Sequence, residues 1–126
     1  MRSNIEYLAI PYLHDDEEVM EFRAQVSDII FADLSNQGRY LYAPISSCHH
    51  IANKYKLPRD WKFWAGLDEE FVSICKKLLV ITLPGWKEST GVTAEISIAD
   101  REGIPIEYID PRSYVDQLMK EKENDK

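Results

Sequence analysis

Two acids, Asp68 and Glu95, and a run of small polar residues between Gly85 and Gly91 are the parts of this chain best suited to chemistry. The stretch LPGWKESTGVTAEISIA, residues 83–99, joins an apolar strand end to a Pro-Gly-Trp corner and then to a helix-like run. Ser89, Thr90 and Gly91 offer hydroxyls and unpaired amides where that helix begins, which is the chemistry of a phosphate cradle. The same residues serve equally as an ordinary helix N-cap. Glu95 is expected in the first helical turn, where an acid also suits the helix dipole. A reciprocal capping box needs Ser or Thr three residues earlier, and that position is Val92, so capping does not account for it. Asp68 is expected to head a helix over residues 64–77 that feeds the preceding strand, which brings it to the same edge. Two carboxylates facing one pocket suit glycosidic-bond chemistry, one attacking the sugar carbon and the other handling a proton.

Other reactive residues are less organised. His49 and His50 follow the second predicted strand without a third ligand at metal spacing, so loop or helix-cap roles are favoured and no metal is expected. Cys48 and Cys75 are the two cysteines, with no CxxC pattern, which argues against a zinc site or a disulfide framework. Trp61, Phe63, Trp64 and Trp86 form an aromatic set near the proposed pocket, as core residues or as a stacking wall for a nucleobase.

The elements that must position these residues alternate between strand and helix. IEYLAIPY is a short apolar run ending at proline. A helix follows, capped by Asp15 or Asp16, with Val19, Phe22, Val26, Ile29, Ile30 and Leu34 at helical spacing and Gly38 as its stop. YLYAP is the second strand, and a short helix is expected over 47–55. The 64–77 helix is expected to turn Leu67, Phe71, Ile74 and Cys75 inward. LLVITLP, apolar on both faces, reads as a central parallel strand. A helix over 92–102 ends at Gly103, IPIEYID is the fourth strand, and PRSYVDQLMKEK is a closing helix with proline at its start.

This order predicts an α/β fold: a three-layer α/β/α Rossmann-like (flavodoxin-like) sandwich on a parallel sheet of four to five strands. Ligands of such sheets sit beyond the carboxyl ends of the strands. The loops there include Pro11 and Tyr12, residues 44–50, and residues 85–91.

The 126 residues fit one domain, read as 1–120, followed by a polar tail at 121–126 that is expected to fray. A net charge of −7 disfavours a nucleic-acid polymer as partner. No run approaches the ~20 apolar residues of a membrane span, and MRSNIEYLAIP lacks the apolar core of a signal peptide. The expectation is a cytoplasmic protein with no membrane association.

Taken together, Tyr7 in EYLAIPY, Asp68 in GLDEEF and Glu95 in STGVTAE make the chain resemble the nucleoside 2-deoxyribosyltransferase-like superfamily. The likeness is nearest to a small uncharacterised bacterial and phage branch, through the first strand, Ile45 to His49, Leu83 to Trp86, and Ser89 to Glu95. It runs from about Tyr7 to Asp110. The resemblance implies that Glu95 is the nucleophile on the anomeric carbon and that Asp68 assists the leaving base and orients the nucleophile. The spacing of Ser89 and Gly91 before Glu95 is similar to that of 2′-deoxynucleoside 5′-phosphate N-hydrolases, where those places hold the phosphate. Tyr7, Pro11, Tyr12, His49, Trp64 and Trp86 are then expected around the substrate. Arg23 is the cation expected to reach in from the first helix. The implied ligand is a nucleotide or nucleoside, with no cofactor, in a homo-oligomer. A non-catalytic nucleotide-binding module and an interaction protein with an empty site are the rival expectations.

Overall fold

A computed structural model describes residues 2–125. Four strands, β1 (Glu6–Ala9), β2 (Leu41–Tyr42), β3 (Lys77–Ile81) and β4 (Ile106–Ile109), form one sheet. Its order is β2-β1-β3-β4, with every neighbouring pair parallel. Five helices surround it: α1 (Glu17–Asn36), α2 (Pro44–Tyr55), α3 (Trp61–Ile74), α4 (Thr90–Glu102) and α5 (Arg112–Asn124).

Strand alternation divides the core in two. Tyr7, Ala9, Leu78 and Val80 point to a layer holding Val72 of α3 and Val92 and Ala99 of α4. Leu8, Leu79 and Ile81 point the opposite way, to Val26, Ile30 and Leu34 of α1 and Leu118 of α5. Because β3 is covered on both faces, its sequence is a continuous apolar run without alternation. The result is an α/β protein with a small parallel sheet flanked by helices.

Local chemistry sets the helix limits. Asp16 accepts the Glu18 amide at 2.8 Å and caps α1, with Glu17 and Glu18 in the positive end of its dipole. Gly38 follows the end of α1 at φ 85°, and Gly103 ends α4 at φ 70°, both in the left-handed region that favours glycine. Pro44 opens α2, three residues before the expected start, because proline suits the first helical position.

Helix α3 departs from the expected phase. It begins at Trp61, so Asp68 lies two turns inside it. Leu67 and Ile74, expected inward, are 46% and 47% exposed, whereas Asp68, Val72 and Cys75 are buried. Val72 and Cys75 pack into the sheet layer, and Asp68, four residues before Val72, inherits the same inward direction. Packing around Val72 therefore overrides the larger side chains.

At the other end α5 continues through Asn124, so residues 121–124 of the expected tail are its last turn, and Lys126 lies outside the described residues. Among the described residues, no helix is long and apolar enough to cross a membrane.

Candidate functional site

A cavity of about 210 Å³ opens at the carboxyl ends of β1 and β3. One wall is acidic. Tyr7, fully buried on β1, points into the α3/α4 layer, and its hydroxyl donates to Glu95 Oε2 at 2.5 Å. Glu95 is the sixth residue of α4, in its second turn rather than its first, because the helix starts at Thr90, two residues before the expected start. It lies inside the core layer, where it is 5% exposed. Asp68 of α3 is 7% exposed and lines the same cavity.

Both acids line this one cavity. Burial raises both carboxyls: Asp68 to about 6 and Glu95 to about 8, with Asp68 adding to the rise of Glu95. The Tyr7 hydroxyl, which donates to Glu95, opposes the rise there by hydrogen bonding to the charged form. Tyr7 itself is pushed well above 10 by burial and by the two acids, so it remains a donor. Asp68 Oδ1 is buried and finds no hydrogen-bond partner among the described residues. A ligand hydroxyl, amino group or water would satisfy it.

The start of α4 forms the adjoining rim through Glu88, Ser89, Thr90 and Gly91. Ser89 is the N-cap, its Oγ accepting the Val92 amide at 3.2 Å, so the ordinary capping role is present. The Thr90 and Gly91 amides precede the helical hydrogen-bond ladder and remain available to an anion. Arg59, from the loop between α2 and α3, also lines the cavity and is the one Lys or Arg to do so among the described residues.

The opposite wall comes from the loop after β1 and from α2. The Tyr12 hydroxyl lies 2.6 Å from His49 Nδ1, and His49 Nε2 lies 2.5 Å from Glu21 Oε2. His49 is 4% exposed and lines the cavity together with Tyr12. Trp64 lines it too, its indole N–H donating to the Pro58 carbonyl at 2.7 Å, and Trp61 stands beside Gly91.

Four side chains expected at the substrate stay out of the cavity lining, the first being Tyr7, whose hydroxyl reaches Glu95 from behind it. Trp86 does not line the cavity, because its ring packs toward β4, with its centroid 5.6 Å from that of Tyr108. Pro11 is buried beneath the loop and reaches no cavity wall. Arg23 stays out as well: its guanidinium donates to the carbonyls of Tyr12, Leu13 and Pro84, fastening the loops after β1 and β3 together. Gly85 leaves room for that fastening, since a Cβ there would lie 2.9 Å from Arg23 Nη2.

Arg59, Cys48 and Glu21 were not legible as site residues. Arg59 sits in an irregular loop, Cys48 stands alone, and Glu21 touches the site only through His49. No periodicity or motif encodes such contacts. Among the described residues, no group of three or more His, Cys, Asp or Glu side chains is arranged to hold a metal ion.

Fold and site together define a parallel α/β protein that gathers two buried carboxylates and a helix N-terminus in one pocket at its strand ends. Within that class, the chain belongs to the family described as Domain of unknown function (DUF1937), whose model matches residues 4–110. The matched span contains both acids and the whole of the cavity wall. Comparison with curated proteins returns no match.

Proposed function

We propose that the protein is an N-glycosidase or 2-deoxyribosyltransferase-like enzyme acting on a (deoxy)nucleoside 5′-monophosphate. The observation that carries this reading is the buried Glu95, held by the Tyr7 hydroxyl and facing a shared cavity with Asp68. In this reading the Glu95 carboxylate attacks the anomeric carbon as the glycosidic C–N bond breaks, with its electron pair leaving on the base. Asp68 is the proton-handling partner, and its unpartnered oxygen accepts from the sugar or from the incoming water. Ser89 and the amides of Thr90 and Gly91 receive the phosphate, and Trp61 and Trp64 flank the remainder of the ligand.

The strand order, with its crossovers on both faces, supports the finer Rossmann-like (flavodoxin-like) description, in which ligands bind at this edge. A homo-oligomer belongs to the same proposal and is measured by light scattering. The direct assay is incubation with deoxynucleoside monophosphates and chromatography for free base. Release by the wild type, abolished in Glu95→Gln, is expected; undiminished release by that variant would sink the assignment.

One observation favours a second reading. A carboxyl raised to about 8 is mostly protonated at neutral pH, which suits a binding site better than a nucleophile. A non-catalytic nucleotide-binding module would show ligand-dependent thermal stabilisation in wild type and Glu95→Gln alike, with no base released.

A further inference from the structure

Behind the cavity's far wall lies a chain of three side chains that the proposed reaction leaves unused. It runs from Tyr12 through His49 to Glu21, with spacings of 2.6 and 2.5 Å. Glu21 is held below the ordinary carboxylate range, chiefly by its hydrogen bond to His49, so it is ionised and can only accept. The proton between them therefore belongs to His49 Nε2. Asn53 competes with this assignment, because its amide nitrogen, 3.3 Å from Nε2, can only donate while Arg59 occupies its oxygen; the much shorter 2.5 Å contact to the Glu21 carboxylate decides in favour of a protonated Nε2.

With Nε2 protonated, Nδ1 of a neutral ring carries a lone pair and must receive the Tyr12 hydroxyl proton. Tyr12 then offers the cavity nothing but the lone pairs of its oxygen. The charged and titratable groups around the ring are Glu17, Glu18 and Glu21 from α1, His50 from α2, and Arg59 from the following loop. Glu21 alone among these acids touches the ring, so it sets the tautomer.

This inference rests on the nucleotide reading. With the sugar at Glu95 and the phosphate at the start of α4, the base is left with the wall that carries Tyr12. We infer that Tyr12, oriented by His49 and Glu21, is the base-selecting residue, and that it selects nucleobases presenting an exocyclic amino group over their oxo counterparts. Tyr12 touches the ligand; His49 and Glu21 are positioning residues acting through it.

The test is calorimetric titration in the Glu95→Gln background with matched pairs: dAMP against dIMP and dCMP against dUMP. At pH about 8 the amino member is expected to bind about fivefold to tenfold tighter, the worth of one hydrogen bond to a buried acceptor. Tyr12→Phe should erase it, and Glu21→Gln, at a half-exposed position that folding tolerates, should relax it because an amide accepts either tautomer. Equal affinity within each pair, or a preference that survives Tyr12→Phe or Glu21→Gln, overturns the inference while leaving nucleotide binding intact. Binding of no nucleotide at all by the wild type or this variant overturns the underlying reading and the inference with it.

Discussion

Glu95 destabilises the fold that presents it. Its carboxyl titrates near 4.5 in water and near 8 in the folded protein, because burial penalises the charged form. Below pH about 4.5 both folded and unfolded states are protonated, and no penalty exists. Between that point and about 8 the unfolded chain ionises while the folded one resists, so stability falls as pH rises. Asp68 acts in the same direction from 3.8 to about 6. Glu95→Gln should therefore raise the melting temperature at pH 8.5 and change it little at pH 4.5, as read by scanning calorimetry. A variant no more stable than wild type at high pH would contradict the buried-acid account. At this scale the sequence was informative where a bland explanation failed: Val92 at the capping-box position left Glu95 without a capping role. It named Tyr12 and His49 only through the resemblance and was silent on Glu21 and on the contacts among the three, which lie far apart in sequence and meet only through tertiary packing.

Elements position the site through their starts and their phase. Because α4 begins at Thr90, Ser89 is both its cap and the rim of the cavity. Ser89→Ala should cost about 1 kcal/mol in urea unfolding. It should also weaken a deoxynucleoside monophosphate more than the matching nucleoside; equal weakening of both would remove Ser89 from the phosphate site. The corner before α4 depends on Gly85, at φ 95° with Arg23 Nη2 where a Cβ would stand. Gly85→Ala should destabilise by about 1–2 kcal/mol, since an L-residue resists that conformation and the guanidinium must shift. Caps and stops such as Asp16, Gly38 and Gly103 were legible because they act locally. The phase of α3 was legible only in part: Cys75 is buried as expected, but counting large apolar residues also favours Leu67 and Ile74, while contact with the sheet selects Asp68 and Val72. Asp68 was named from the sequence as an acid at a helix start, but its inward direction two turns into α3 follows from packing around Val72.

For the whole molecule, alternation of strand and helix was enough to foresee a parallel sheet covered on both faces, and with it the edge where a ligand belongs. The sheet order, and the division of that edge into an acidic wall and a tyrosine–histidine wall, depends on which face each side chain takes, and for Trp86 and Arg23 the sequence pointed wrongly. The central claim is that this edge holds a carboxylate nucleophile. It is tested most directly by quenching a reaction with a deoxynucleoside monophosphate in acid and mapping the protein by mass spectrometry. The account predicts a 2-deoxyribosyl phosphate ester on the peptide carrying Glu95, absent from Glu95→Gln. Base release without any such ester, or an ester on a different residue, would contradict it.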